Sequence, residues 1–286
     1  MSSMIADQRN AAEIAFWNGP GGRHWVHRQE AWDGVLAPVT SVALAHARVQ
    51  PGERVVDVGC GCGATTIELG KLVGPRGRVL GLDISAPMLA RAAARLPPDS
   101  PVELVQADAT THALASGGFD LLFSRFGVMF FAEPARAFAN LRAALRPGGR
   151  LVFVCFRTPQ ENPWMMTPLK AAYAHVPPLP KLGPEDPGPF SFASEERVRR
   201  ILGDGGFSSI ALERLDLELD IAGGRGLDEA VASALEIGAT SRAIEGQPTA
   251  VRDAVAVSVR RALAEHQRGS AVPLGAAIWL VAAASP

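Results

Sequence analysis

The chain has 286 residues, with 28 Lys+Arg against 29 Asp+Glu, and is 48% hydrophobic and 20% charged. This is length for one large domain or two small ones around a substantial core, and it excludes a disordered acidic or basic chain. A formal net charge of −1 argues against affinity gained by neutralising many phosphates, and so against a nucleic-acid partner, though not against a local basic patch. Cys60, Cys62 and Cys155 are too few for a disulfide framework and predict a reducing, cytoplasmic setting.

At the N-terminus, Asp7, Arg9 and Glu13 interrupt any signal-peptide apolar region. Residues 1–50 read as helical, with a break at Gly19-Pro20-Gly21-Gly22 between two aromatic-bearing helices. From residue 51 short apolar runs alternate with amphipathic stretches. RVVDVG (54–59) precedes a helix over about 64–72, and GRVLGLD (77–83) precedes one over 86–95. VELVQAD (102–108) and FDLLFS (119–124) follow, then a helix over 133–145 and GGRLVFVCF (148–156). Brief apolar runs bounded by Gly, Asp or Pro are what strands buried on both faces of a parallel sheet look like. Their alternation with helices specifies an open α/β sheet covered on both faces.

After Phe156 the rhythm breaks. Residues 158–190 are proline-rich and irregular, with one short helix near Met166–Ala174. Ser194 reads as the N-cap of a helix through Leu202, and SSIALERLDLELDI (208–221) alternates as a strand. Residues 226–267 read as two amphipathic helices, the second with Val251, Val255, Val259 and Leu263 on one stripe. The closing run, 274–284, is the natural partner of the 208–221 strand. It is shorter than the roughly 20 residues needed to span a bilayer and contains Gly275, so a soluble protein without a membrane span is expected.

The sharpest chemical feature is Asp57-Val58-Gly59-Cys60-Gly61-Cys62-Gly63-Ala64, placed between a strand and a helix. Its alternate glycines allow a tight turn that a ligand can approach closely, and the following helix start offers unpaired N–H donors. Gly59, Gly61 and Ala64 also satisfy the permissive G-x-G-x-x-A dinucleotide fingerprint, so a nicotinamide or flavin enzyme stays open on glycines alone. Asp57 separates the readings. A carboxylate there opposes a pyrophosphate, whereas it suits a cationic ammonium such as that of S-adenosylmethionine. Asp83, closing the second strand, serves either ligand through a ribose diol, and Asp108, closing the third, offers an acceptor to an adenine amino group.

Asp57-x-Gly-x-Gly-x-Gly63, Leu80-Gly81-Leu82-Asp83, Asp108 and Arg146-Pro147-Gly148-Gly149-Arg150 together resemble class I S-adenosylmethionine-dependent methyltransferases. Phe16-Trp17-Asn18 and Trp279-Leu280-Val281-Ala282 resemble the small-molecule branch related to the ubiquinone/menaquinone biosynthesis enzymes. The resemblance is close over about 50–156 and looser over the closing strands. It implies an α/β, Rossmann-like, seven-stranded and mostly parallel sheet in the order 3-2-1-4-5-7-6, the last strand antiparallel, with helices on both faces and a helical cap. It implies S-adenosyl-L-methionine as cofactor. Asp57 and the backbone of Gly59, Cys60, Gly61 and Gly63 would hold its methionine part, and Asp83 its ribose. Ile84 and Met88 would lie beside the adenosine, Asp108 and Ala109 at the adenine, and Ser124 near the reacting methyl.

Departures from other branches narrow the acceptor. Ser124-Arg125-Phe126-Gly127 stands where DNA amino-methyltransferases carry a proline-pair box. The segment FSRFGVMFF has no carboxylate cluster for a metal, and Cys60-x-Cys62 lacks a second ligand pair, so no metal is expected. In-line methyl transfer gains most from near-attack geometry away from water, which requires a lid. The predicted organisation is therefore an N-terminal helical cap over 1–50 and a cofactor-binding domain over 51–286, with lid insertions at about 158–190 and 222–268. Trp17, Trp25, Phe126, Met129, Phe130 and Trp164, with Met165, Met166 and Tyr173, form a candidate apolar acceptor pocket. Each is equally suited to packing between cap and core. Arg125 suits a carboxylate or phosphate on the acceptor, or a helix carboxylate. His24, His27 and Tyr173, with Glu30, Asp33 and His175, are candidate bases, among which the sequence does not choose.

The function expected is methyl transfer to oxygen, carbon or nitrogen of a small, largely apolar metabolite, by a monomer or homodimer. The alternatives are an NAD(P)-dependent oxidoreductase and a non-catalytic S-adenosylmethionine-binding protein.

Overall fold

The computed structural model describes residues 10–183, 185–236 and 238–286. The expected helical character of 1–50 holds from residue 11, and residues 1–9, with Asp7 and Arg9, lie outside the described chain. Three helices form rather than two: α1 (Ala11–Asn18), α2 (Pro20–His27) and α3 (Gln29–Ala47). The break is confined to Gly19, because Pro20 fits the first turn of α2, where its missing N–H costs nothing. Gly21 and Gly22 lie within α2 and serve close packing instead. A Cβ on Gly22 would stand 1.9 Å from Trp17 O, and one on Gly21 2.3 Å from the Phe16 ring.

From there strands and helices alternate as read: β1 (Arg54–Val58), α4 (Ala64–Val73), β2 (Arg78–Asp83), α5 (Ala86–Ala93), β3 (Val102–Gln106) and β4 (Phe119–Arg125). A 3-10 turn over Gly127–Phe130 leads to α6 (Pro134–Ala144) and β5 (Leu145–Phe156). The short helix of the proline-rich segment begins earlier than its periodicity suggested, as α7 (Pro163–Ala172), because Pro163 again occupies the first turn. Ser194 caps α8 (Glu195–Asp204) as predicted, its Oγ accepting from Arg197 N at 3.3 Å. The closing strands are β6 (Ser208–Asp220) and β7 (Pro273–Ala284). Between them three helices form where two were read: α9 (Leu227–Glu236), α10 (Ala239–Ala243) and α11 (Thr249–Ala264). Gly238 and Gly246, both at positive φ, and Pro248 before α11 divide the amphipathic pattern.

The sheet order is β3-β2-β1-β4-β5-β7-β6. β1 pairs in parallel with β2 and β4, as do β2 with β3 and β4 with β5, while β7 runs antiparallel to both β5 and β6. The order and the reversed strand are those the resemblance implied. Phe123, Phe138 and Phe153 are fully buried in the core, and Asn162 stitches α7 to β7 by exchanging hydrogen bonds with the backbone of Ala277 at 3.0 Å. Ligands of open α/β sheets sit over the carboxyl ends of the strands, which brings β1 to β4 to the centre of interest.

Candidate active site

β1 ends into a loop in which Gly59, Gly61 and Gly63 have φ of +69°, +54° and +82°. The N–H groups of Gly59 and Cys60 both donate to Leu82 O, at 2.8 and 3.1 Å, which ties the loop to β2. Glycine at 59 is needed for space as well as for φ: a Cβ would lie 2.6 Å from Cα of Gly127, in the turn after β4. Gly127 is equally constrained, since its Cβ would stand 2.6 Å from Val58 O. Its packing role was missed in the sequence, where only its place just after a strand hinted at it.

Asp57 is buried at the end of β1. Its Oδ2 accepts from Thr65 Oγ1 at 2.6 Å and Thr66 Oγ1 at 2.7 Å, both on the first turn of α4. Its Oδ1 is buried with no partner. Burial pushes its carboxyl pKa up, against the two threonine bonds and the charge of Arg125.

Asp83, half-buried at the end of β2, accepts from Gly61 N at 2.7 Å through Oδ2 and from Ser85 N at 2.8 Å through Oδ1. Burial raises it to about 6 despite these bonds, and the charge of Asp57 adds to the rise. Cys60 and Cys62 are buried free thiols beside it, the latter pushed by burial to about 12. Among the described residues no three His, Cys, Asp or Glu side chains are grouped to hold a metal ion.

Asp108, buried after β3, accepts from Thr110 N at 2.8 Å and from Asn10 Nδ2 at 3.2 Å. Asn10 Oδ1 in turn accepts from Ala132 N at 3.3 Å. Ala109 is buried, its carbonyl bonded to Asn140 Nδ2 at 2.8 Å. The carbonyl of Ile84 accepts from Asn18 Nδ2 at 2.9 Å, and Ser85 Oγ donates to Trp17 O at 2.7 Å. Helix α1 and the preceding Asn10 are thus docked by hydrogen bonds onto the segments that follow β2 and β3. Ser124 is buried and donates to Val58 O at 2.7 Å, linking β4 to the start of the glycine loop.

Above the loop, Trp25, Asp33, Met88 and Arg125 join Gly59–Cys62, Ala64 and Thr65 around a cavity of about 50 Å³. That is far below the several hundred Å³ of an ordinary small-molecule site, so these side chains must shift to admit one. A larger cavity, about 420 Å³, is lined by charged groups of α2, α3, α5 and α9, including Arg28, Arg91 and Glu229. Neither cavity is lined by the strand-end carboxylates, and the larger one contains no residue of the glycine loop.

Beside the small cavity runs a chain of ring contacts. Phe130 meets Trp17 at 5.3 Å, Trp17 meets Trp25 at 6.3 Å, and Trp25 stacks on Trp32 at 5.8 Å. Trp32 meets Trp164 at 5.8 Å, Trp164 meets Phe156 at 5.6 Å, and Phe156 stacks on Phe126 at 4.1 Å. The sequence named five of these rings but neither Trp32, whose buried indole N–H has no partner, nor Phe156. Met129 is buried beneath this wall, and its carbonyl accepts from Ser191 Oγ. Of the candidate bases, Asp33 lines the small cavity and is paired with Arg95 at 2.7 Å, whereas His24, His27 and Tyr173 do not line it. His24 and His27 are exposed, the latter lining the larger cavity, and Tyr173 Oη accepts from Leu179 N at 3.3 Å.

The donor set suits a zwitterionic, ribose-bearing nucleoside: an unpartnered carboxylate oxygen at Asp57, side-chain-free backbone at the glycines, and acceptors at Asp83 and Asp108. Comparison with known proteins agrees. Residues 56–153 match the family described as a methyltransferase domain. The chain is 30% identical over 186 residues to the ubiquinone/menaquinone biosynthesis C-methyltransferase UbiE of Pseudomonas syringae, covering 60% of this chain and 72% of that one. It is 40% identical over 112 residues to an uncharacterised 37.1 kDa transposon protein of Streptomyces fradiae, spanning 39% of this chain and only 32% of that relative. In fold it is similar to the YcgJ protein of Bacillus subtilis, with a TM-score of 0.56, 13% identity and coverage of 86% and 97%. The phosphoethanolamine N-methyltransferase 2 of Haemonchus contortus, in complex with S-adenosyl-L-methionine, gives a TM-score of 0.53 at 18% identity. That match covers 87% of this chain and 52% of the other. Oxidoreductase and non-catalytic readings give way to a transferase that uses S-adenosylmethionine. The chain belongs to the class I S-adenosylmethionine-dependent methyltransferases, and within them it resembles the ubiquinone/menaquinone biosynthesis enzymes.

Proposed function

We propose that this methyltransferase acts on a small, largely apolar acceptor at oxygen, carbon or nitrogen, received by the aromatic wall beside the glycine loop. The observation that carries the reading is the unbroken run of rings from Phe130 to Phe126, which adjoins the glycine loop through Trp25. Flat apolar molecules gain from such a wall by area burial and by ring stacking. When bound, the cofactor supplies a methyl group on a sulfonium. Asp57, with the backbone of Gly59, Cys60, Gly61 and Gly63, would hold its methionine end. Asp83 would accept from the ribose, Ile84 and Met88 would flank the adenosine, and Asp108 with Ala109 would take the adenine edge. Ser124 would stand at the mouth. The chain's part in the reaction is to orient donor and acceptor and to exclude water.

The helices before residue 50, with segments 158–190 and 222–268, would act as the cap and lid. Docking of α1 and Asn10 onto the segments that follow β2 and β3 supports this. A formal charge of −1 supports an acceptor other than nucleic acid, and three buried free thiols support a cytoplasmic setting. No helix among the described residues is long and apolar enough to cross a membrane. Monomer and homodimer both suit a cap of this size.

Calorimetry with S-adenosylhomocysteine tests the cofactor assignment, and Asp83→Ala is expected to weaken binding about tenfold or more, as loss of charge-assisted bonds does. Unaltered binding by that variant defeats the assignment. Radiolabelled methyl transfer across a panel of flat hydroxylated aromatics and charged metabolites tests the acceptor. Turnover confined to the charged set would defeat the apolar reading.

A further inference from the structure

Helix α3 presents Gln29, Asp33 and Thr40 on one face, one turn and then two turns apart, and each of these side chains holds an arginine. Gln29 Oε1 accepts from Arg91 Nε at 3.0 Å, Asp33 Oδ2 from Arg95 Nη2 at 2.7 Å, and Thr40 Oγ1 from Arg125 Nη1 at 2.7 Å. Among the described residues Arg125 makes no ion pair, so the helix-carboxylate partner considered from sequence does not form. Arg95 reaches on with Nη1 to Cys62 O at 2.5 Å, which fixes Asp33 against the glycine loop. Asp33 Oδ2 also accepts from Gln29 Nε2. Its Oδ1 accepts no hydrogen bond among the described residues, and the side chain is 21% exposed. One carboxylate oxygen is thus held in place while the other is open to a proton donor.

Asp33 is the one carboxylate that lines the small cavity, where it stands with Trp25, Met88, Arg125 and the glycine loop. The thiols of Cys60 and Cys62 share that lining, but burial drives both toward the protonated form. The other charged groups facing this corner are Arg91 and Arg95 on α5, Arg125 at the end of β4 and Glu30 on α3 itself, with Asp57 and Asp83 at the strand ends beyond. Trp32, the neighbour of Asp33 in the chain, stacks on Trp25, so the carboxylate lies where the aromatic wall meets the glycine loop. The cofactor's ammonium has a carboxylate oxygen of its own in the unpartnered Oδ1 of Asp57. A flat acceptor on the wall therefore has Asp33 to meet its polar edge.

We propose that Asp33 is the general base of the reaction, its Oδ1 receiving the proton of a hydroxyl on the acceptor. This selects, among oxygen, carbon and nitrogen acceptors, one that is methylated at a hydroxyl, and it rests on the acceptor reading above. The hydroxyl donates to Oδ1 while its oxygen faces the methyl carbon. The oxygen–carbon bond forms as the sulfur–carbon bond breaks, the bonding pair stays on sulfur as a neutral thioether, and the proton passes to Asp33. Arg95 and Gln29 keep the other carboxylate oxygen fixed, and the proton returns to water when the lid opens.

The test titrates 2-naphthol and naphthalene into the S-adenosylhomocysteine complexes of the wild type, Asp33→Asn and Asp33→Ala. The wild type is expected to prefer 2-naphthol about tenfold or more, Asp33→Ala to lose that preference to within about threefold, and Asp33→Asn to be intermediate. S-adenosylhomocysteine and 5′-methylthioadenosine, which lacks the amino-acid end, should bind both variants within about twofold of the wild type, which also shows that they are folded. With a labelled methyl donor, a hydroxylated aromatic that the wild type methylates should lose about 100-fold or more in kcat in Asp33→Asn. That fall should exceed any rise in KM, and the acidic limb of the kcat–pH profile should vanish. A preference for 2-naphthol retained in Asp33→Ala, or a kcat retained in Asp33→Asn, overturns the proposal. Weakened S-adenosylhomocysteine with unchanged 5′-methylthioadenosine overturns it in favour of a contact to the cofactor's ammonium. If the wild type binds S-adenosylhomocysteine but neither naphthalene nor 2-naphthol, the acceptor reading fails and takes the proposal with it.

Discussion

At the scale of single residues, the site is organised by carboxylates held where water is scarce. Asp57 keeps one oxygen for two threonines and leaves the other without a partner, so its burial is only partly offset by those bonds and by the charge of Arg125. Asp83 differs in that both oxygens already accept backbone N–H bonds, and each can accept one more. Burial sets its carboxyl at about 6 against an ordinary 3.8. Between those values the folded chain holds a proton that the unfolded chain has released. Asp83 therefore lowers stability as pH rises through that window, and its cost is complete above it. Ribose hydroxyls would donate to the ionised form. S-adenosylhomocysteine affinity is thus expected to rise with pH and level off above about 6. At or below that pH, binding should release protons, seen as a heat that depends on the buffer's ionisation enthalpy. Asp83→Asn should abolish this component, and a buffer-independent heat in the wild type would contradict it. Asp57, Cys60 and Cys62 also face this corner, but both thiols lie far above the window.

At the scale of elements, the strand–loop–helix unit of β1 and α4 depends on contacts that are not local to it. Gly59 and Gly127 bring two loops together backbone to backbone, so the atoms nearest a methyl group at 127 are main-chain ones, Val58 O and Gly59 Cα, with Ser124 Oγ next at 3.2 Å. Gly127→Ala is expected to cost about 1–3 kcal/mol through overpacking and to weaken S-adenosylhomocysteine binding with it. Gly34→Ala, in the middle of α3 with nothing within 4 Å of the new Cβ, should be neutral or stabilising by up to about 1 kcal/mol. Urea midpoints of the pair measure the contrast, and equal shifts would refute the steric account. The glycine loop itself was legible in sequence because its turn chemistry is encoded in adjacent residues. Gly127 was not, since nothing in its neighbours reveals which loop will pass within van der Waals reach.

Across the whole molecule, one core joins the parallel part of the sheet to the closing pair, β7 and β6, at its edge. Phe138 on α6 illustrates the joint: its ring meets Phe131, Phe153, Phe192 and Phe207, which come from four separate stretches of chain. Phe138→Ala should therefore lower unfolding free energy by about 3–5 kcal/mol. S-adenosylhomocysteine affinity of the folded protein should be unchanged, because the ring lies among core rings away from the small cavity. Denaturation followed by far-ultraviolet dichroism, with binding measured in parallel, checks both statements.

What the sequence determined by itself was the part of the molecule written in short-range pattern. Strand and helix periods, the bounding turns and the acids closing β1, β2 and β3 could all be read in order. The resemblance added the 3-2-1-4-5-7-6 arrangement and the reversal of β7. Only tertiary structure decided which side chains converge. It set Asn10 on Asp108, 98 residues away, and inserted Trp32 between Trp25 and Trp164. It turned Arg125 toward Thr40 and the glycine loop, and left His24 and His27 exposed. The physical reason is that periodicity and turn chemistry act over a few neighbouring residues. Convergence depends instead on how α1 to α3 dock across the strand ends, and that is settled by packing and hydrogen bonds between distant parts of the chain.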